Sequence, residues 1–373
     1  MFGMLKFKNY DFKRYNIALL VVVTTLVSIG IFLIKQVKPE DYKKQVIGLI
    51  GGLIIAIVVS LIDYHFISQF YIVLYLINLV LLLLVKFVGV EINNAQRWLD
   101  LKFFKLQPSE LTKIILIIFF AKIFTMFEHK INNAFFLLII IVLMAVPTYL
   151  ILTQTDLSTS IVLMTVFAVL IFTAGLSWKI ILPIIILGVP LFMGLFWYVQ
   201  QDYQVILTPN QQQRVLSILH PEEYPATMYQ QENAIQAIGS GQLTGKLLSD
   251  EASEQRGYKH VPVAESDFIF SVAGEELGFI GCCFILLLFA FIIYTCLSTA
   301  RRAPDKMGML IAVGIASMFA FQTFVNIGVV TAILPNTGIP LPFLSAGLSS
   351  LLSSMIGIGL ILNIRLQPKK INR

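Results

Sequence analysis

Long apolar runs alternate with short polar stretches along this chain. Crossing a bilayer takes about 17–25 apolar residues. Ten runs reach that length: 15–35, 45–63, 69–89, 109–126, 134–153, 157–175, 179–199, 268–298, 308–330 and 348–365. A helix satisfies its own backbone in lipid, so each run is expected to be helical. The pattern predicts an all-α polytopic membrane protein with about ten transmembrane helices. It is expected to form a single domain over 1–373, with a long loop at about 200–266 between the seventh and eighth spans. Proline inside spans (Pro147, Pro183, Pro190) is compatible with this where neighbours re-satisfy the backbone. Trp178 and Trp197 frame the seventh run. Their spacing amounts to roughly 28 Å of helix, which suits a pair of interfacial anchors.

Composition agrees. Of 373 residues, 57% are hydrophobic and 13% charged, with a mean hydropathy of +0.84. A soluble domain averages about 25% charged. Cys282, Cys283 and Cys296 share one apolar run, which reads as packing and not as a disulfide framework. The four histidines are scattered without metal-binding spacing. A net charge of +6 points to lipid headgroups or a phosphate-bearing substrate and away from nucleic acid. The first run lacks a clear small-residue cleavage site and reads as a retained span. Ten spans put both termini on one side. The basic N-terminus, the "TARRAPDK" turn and the basic C-terminal tail make that side cytoplasmic. The balance is narrow: 14 of the 27 Lys and Arg fall inside and 13 outside, four of the latter in "KQVKPEDYKK".

The candidate chemistry begins at "AESDFIFSVAGEELGFIG", residues 264–281, where an apolar run opens with three acids. A charge at mid-bilayer costs about 2.5–3.5 kcal/mol even on the mild scale, so each needs a partner. Asp267 stands at the entrance, either as a helix cap or, with Ser266 capping instead, as a carboxylate free to act as general base. Asp267, Ser271 and Glu275 are spaced by four, while Glu276 points elsewhere. At least one of Glu275 and Glu276 is expected to be structural, bonding the 331–347 loop. Glu110 and Lys113 are three apart in "QPSELTK", on one helix face. With Asp156 they are expected to form one buried charge cluster; the plainer reading is an ion pair and a helix cap. Arg97, Trp98, Lys102 and Lys105 mix cations and aromatics, as binders of phosphate and sugar or as an interfacial anchor. Arg214 is a lone cation in a polar loop. "GSGQLTGK" (239–246) lacks Walker A spacing and reads as a flexible turn. The stretch 331–347, rich in proline and glycine, is expected to be irregular and either buried or lining a watery cavity.

Several of these stretches occur together in one known family. "NNAQRWLDLKFFKLQPSELTK", "TDLSTSIVL", "NAIQAIGSGQLTGK", "ESDFIFSVAGEELGFIG" and "NTGIPLPFLSAGLSSLLSSMIGIGLI" follow in order over nearly the whole chain. In these the chain resembles the SEDS family (RodA, FtsW and SpoVE), with "AQRWLDL" and "GIPLPF" most like RodA. The resemblance implies a peptidoglycan glycosyltransferase of the bacterial cytoplasmic membrane. It would polymerise lipid II into β-1,4 glycan at the outer face, for elongation and shape, beside a class B penicillin-binding protein as transpeptidase. It also implies that Asp267 is the essential acid, that Glu110, Lys113 and Asp156 match the family's charged motifs, and that Arg214 matches its loop arginine. Ser345 of "SAGLSS" joins the substrate contacts. Departures are Thr155 for proline, Ser158 for glycine, and Ala346 and Leu348 in the family's "SYGGSS".

Lipid II carries its donor sugar α-linked to pyrophosphate and the product is β-linked, so one inverting displacement is expected, with Asp267 taking the acceptor proton. Arg97, Arg214, Lys113 or a divalent cation would offset the leaving pyrophosphate. No dedicated metal site is written in the sequence. The alternatives are a lipid-linked-precursor flippase and a non-catalytic scaffold for the penicillin-binding protein.

Overall fold

The computed structural model describes residues 10–92, 95–100, 105–201, 203–207, 209–247 and 255–367. The ten predicted runs all appear as helices: α1 (Ile17–Val37), α2 (Tyr42–Leu61), then, after a short α3 (Tyr64–Gln69), α4 (Tyr71–Val88), α5 (Pro108–Met126), α6 (Ala134–Thr153), α7 (Leu157–Ala174) and α8 (Trp178–Val199). The long loop contributes α9 (Pro209–Leu219) and α10 (Pro225–Ser240), and α11 (Ile269–Arg302), α12 (Lys306–Val330) and α13 (Leu348–Leu366) complete the bundle. Asn16, Asn133, Asp156, Ser177 and Asp305 cap their helices through side-chain oxygens. Among the described residues, nine helices are long and apolar enough to cross a membrane. The remaining predicted span, the fourth, is α5, which carries Glu110, Lys113 and Lys122 and is buried along most of its length.

The described parts of residues 90–108 are mostly strand. They form a small antiparallel sheet in the order β1 (Val90–Ile92), β2 (Ala95–Asp100), β3 (Lys105–Leu106), with Val90 opposite Trp98 and Asp100 opposite Lys105.

Helices α5, α12 and α13 form the centre, with α12 packed on α5, α7, α11 and α13. Lipid is as apolar as leucine, so helix association rests on close packing and small residues. The α2–α13 contact uses both. Gly48, Gly52 and Ala56 recur every fourth residue on the buried face of α2. A β-carbon on Gly48 would lie 2.5 Å from Leu348 Cδ2, and one on Gly359 would lie 2.8 Å from the Ala56 carbonyl. Leu348, where the family has glycine, is therefore accommodated by the missing side chain of Gly48. Helix α8 contrasts: its described side chains are nearly all accessible, and Trp178 and Trp197 near its ends are exposed.

The first and last described segments meet at one end of the bundle. The Asp11 amide donates to the Leu366 carbonyl (2.9 Å), and Asn363 donates to the Tyr10 hydroxyl (3.2 Å). At the same end His65 of α3 lies between Asp63 (2.8 Å) and Asp305 (2.5 Å). At the opposite end the turn after α1 reaches Glu265, with Lys38 Nζ 3.4 Å from its carboxylate.

Helix α11 explains the three acids. Its 34 residues are broken at Gly278, whose backbone is non-helical (φ 65°, ψ −168°). Residues 269–276 before the break are all buried in protein, while Phe279 and Ile280 after it are exposed. The lipid-facing part thus starts only at Phe279, and its 24 residues to Arg302 make roughly 36 Å of helix. The stretch read as a flexible turn clamps the break instead. The amides of Lys246 and Leu247 donate to the carbonyls of Glu275 and Glu276, and the amides of Phe279 and Ile280 donate to the carbonyls of Gln242 and Leu243. The backbone groups freed by the kink are re-satisfied without water. Such an approach requires glycine: a β-carbon on Gly278 would lie 2.3 Å from the Gly245 nitrogen.

Candidate active site

Asp267 lies in the turn that leads into α11, two residues before its first helical position. The residue at the helix cap is Phe268, which offers no side-chain bond, and Ser266 does not cap either. The Ser266 hydroxyl donates to Asp267 Oδ1 (2.9 Å). The half-buried Asp267 carboxylate faces Gly338 of the 331–347 loop, where a β-carbon would lie 3.2 Å from Oδ2. Gly338 has φ +70°, a backbone that costs other residues about 1–2 kcal/mol.

The 331–347 loop is irregular, as expected, and is held from all sides. Asn326 of α12 donates from one amide nitrogen to the carbonyls of Asp267 (2.8 Å) and Ile339 (2.7 Å). Gln231 of α10 donates to the carbonyls of Val329 (2.8 Å) and Leu334 (2.9 Å). Ser158 donates to the Thr337 carbonyl. The Ala346 amide donates to the Glu265 carbonyl (2.8 Å), and Gln45 of α2 donates to the Ser345 carbonyl (3.3 Å). Ser345 was expected on substrate. Instead its buried hydroxyl donates to the Ser266 carbonyl (2.6 Å) and accepts from the Leu341 amide (2.8 Å), which ties the loop to the Asp267 turn.

The predicted charge cluster divides in two. Lys113 Nζ lies 2.8 Å from Glu110 Oε2, both side chains nearly inaccessible. Lys113 is thus paired inside the bundle. Asp156 is bound elsewhere. It caps α7 through the Thr159 amide (3.1 Å) and accepts from the side chains of Thr159 (2.9 Å), Gln107 (3.2 Å) and Ser109 (3.3 Å). Arg97 approaches it at 3.8 Å while donating to the carbonyls of Gln154 (3.3 Å) and Thr155 (2.6 Å). Thr155 has φ +61°, a value that the family's proline, fixed near −65°, does not reach. The Thr155 substitution therefore accompanies a different turn, closed by Arg97. Trp98 sits next to Arg97 on β2, half-buried. Arg214 is on α9, and its side chain lies outside the described residues, as does Lys102.

Glu275 and Glu276 are structural, but they bind the segment after α10 and not the 331–347 loop. Glu275 is fully buried and accepts from Lys246 Nζ (3.2 Å) and from the amides of Gly257 (2.9 Å) and Tyr258 (2.8 Å). Glu276 pairs with buried Arg256 (3.1 Å), which also donates to the Lys246 carbonyl (2.6 Å). Asn326, Arg256 and Gln231 escaped the sequence reading. The signal for Asn326 was present, since a polar side chain in an apolar run demands a partner. Among the described residues, no three His, Cys, Asp or Glu side chains gather as metal ligands.

Comparison with known proteins places this geometry. The "probable peptidoglycan glycosyltransferase FtsW" of Trichlorobacter lovleyi is 34% identical over 96% of this chain and 94% of its own length. The "peptidoglycan glycosyltransferase MrdB" of Escherichia coli K12 is also 34% identical, over 86% of this chain and 85% of its own. Equal identity to both leaves the RodA-like motifs without support as a mark of one branch. A solved structure titled "Structural coordination of polymerization and crosslinking by a peptidoglycan synthase complex" contains a chain that superposes with a TM-score of 0.77 and 27% identity, over 95% of this chain and 97% of that one. The family described as cell cycle protein, of FtsW, RodA and SpoVE, matches residues 12–370, and the chain belongs to it.

Proposed function

We infer that this multi-pass membrane protein is a peptidoglycan glycosyltransferase that polymerises lipid II, with Asp267 as general base. The observation that carries the mechanism is the placement of the Asp267 carboxylate. It is half-buried at one end of the bundle, hydrogen-bonded by Ser266 and faced by a glycine that leaves room beside it. In the proposed step the acceptor hydroxyl attacks the anomeric carbon of the donor sugar. The bond from that carbon to pyrophosphate breaks, and its electron pair leaves with the lipid pyrophosphate. The acceptor proton passes to Asp267, and the α-link becomes a β-link. General-base assistance of this kind contributes about 10²–10⁴-fold.

Positive charge for the leaving group is assigned to Arg97, whose side chain remains 25% accessible beside the Asp156 turn, and to Arg214. Lys113 acts indirectly, by pairing with Glu110 inside the bundle. The first and last described segments share one end of the bundle, which is assigned here, with the termini, to the cytoplasm, and Asp267 is assigned to the outer face. A class B penicillin-binding protein is the proposed crosslinking partner. The peptidoglycan synthase neighbour supports that reading, since its title joins polymerization to crosslinking.

Gel-resolved polymerisation of labelled lipid II by the purified chain with its transpeptidase tests the assignment, with Asp267→Asn run alongside. Polymer from wild type alone is the expected result. Polymer from both variants would discard Asp267 as the base. Polymer from neither, with the partner bound, would favour the flippase or scaffold reading.

A further inference from the structure

We propose that Asn326 is a positioning residue for Asp267. This rests on the reading of Asp267 as general base. Asn326 lies on α12 and is 1% exposed. Its single amide nitrogen places its two hydrogens on two carbonyls from two separate segments: Asp267 at 2.8 Å and Ile339 at 2.7 Å. The first segment carries the carboxylate. The second follows directly on Gly338, the residue that faces Asp267 Oδ2. One side chain therefore sets the backbone on both sides of the reacting carboxylate.

The orientation of the amide follows from chemistry. Both neighbours are carbonyls, which only accept, so the NH₂ must face them. The Asn326 Oδ1 is then left buried without a hydrogen-bond partner. A buried unmet acceptor is costly, and is tolerated here for the two bonds on the other side. No other side chain of this length supplies two hydrogens from one atom. Aspartate offers none when ionised and one when protonated, a hydroxyl offers one, and glutamine is a methylene longer. Asn326 itself acts through Asp267 and is not assigned any contact with substrate.

The test uses the full chain with its transpeptidase and lipid II, and compares Asn326→Ala, Asn326→Asp and Asp267→Asn. Loss of positioning lowers turnover by at least about tenfold while the KM for lipid II stays within about twofold. In Asn326→Asp the new carboxyl regains one donor when protonated. Turnover relative to wild type should therefore rise as pH falls, a response that simple loss of stability does not produce. Turnover of Asn326→Ala within about twofold of wild type would overturn the proposal, as would a raised KM with turnover intact. Should Asn326→Ala fail to fold, the pH trend of Asn326→Asp decides, and a flat ratio counts against positioning. Wild-type turnover in Asp267→Asn would remove the base reading and this proposal with it. An inactive Asp267→Asn beside an unaffected Asn326→Ala would remove this proposal alone.

Discussion

Gly338 faces the carboxylate of Asp267 so closely that a β-carbon at 338 would stand 3.2 Å from Oδ2. The same glycine holds φ +70°. Gly338→Ala therefore meets two penalties at once. The left-handed backbone costs roughly 1–2 kcal/mol, and the methyl group presses the carboxylate aside by a few tenths of an ångström. A displacement of that kind near reacting atoms lowers turnover more than it lowers stability. The expected outcome is at least about a tenfold fall in lipid II polymerisation with a folded, partner-binding protein. Wild-type turnover in this variant would show that the space beside Asp267 is not used.

Glu275 is fully buried, with two backbone amides and the Lys246 ammonium on its carboxylate. Glu275→Ala strands all three donors. Leaving a buried donor unsatisfied costs about 1–3 kcal/mol, and the amides of Gly257 and Tyr258 both lose their acceptor. Thermal unfolding in detergent should show a large drop. An unchanged melting profile would contradict the structural role assigned to Glu275.

His65 ties α3 to the α11–α12 turn through carboxylates on both of its ring nitrogens. Burial lowers its pKa, but Asp305 and Asp63 outweigh that and raise it from 6.5 to about 9. A raised histidine stabilises fully below its ordinary pKa, and that contribution disappears as pH rises through about 9. Asp63 is buried, which raises it, yet the bonds from His65 and Gln367 bring it down to about 2. Asp305 is also lowered, chiefly by His65 against the cost of burial. The contribution of the two acids is present above about pH 4 and is lost as pH falls through their folded pKa values. Melting temperature should therefore decline between pH 7 and 9.5 in wild type, and the decline should flatten in His65→Gln. Parallel profiles would mean that His65 is not charged by this pair.

The spans were legible because lipid imposes a strong apolar signal of fixed length, and each predicted run became a helix. Glu110 and Lys113 were legible too, since residues three apart share a helix face. Asp156 follows the plainer reading, a cap of α7, and its further partners Gln107 and Ser109 stand beside Glu110 at the start of α5, a proximity that spacing along the chain does not show. The kink at Gly278 was hidden because a glycine in an apolar run reads as packing. Its clamp is formed by backbone amides and carbonyls, which leave no side-chain signature beyond Gly241 and Gly245. Ser345 looked like a substrate contact because a hydroxyl in a family motif suggests binding, whereas here both of its bonds go to backbone.

Leu348 occupies a position where the family's motif has glycine, and Gly48 of α2 is what admits it. Adding a side chain at 48 should therefore conflict first with Leu348. In Gly48→Ala the new β-carbon would stand 2.5 Å from Leu348 Cδ2 and 3.2 Å from Leu351 Cδ2. Overpacking of this kind costs about 1–3 kcal/mol, because side chains must leave their preferred rotamers. Leu348→Ala alone should also destabilise, by opening a gap over Gly48. Combined, the two changes exchange bulk across one contact, so the double variant should be more stable than the sum of the singles by about 0.5–3 kcal/mol. Thermal melts of the four proteins in one detergent measure that coupling. Strict additivity would mean that Leu348 is accommodated by some other part of the structure.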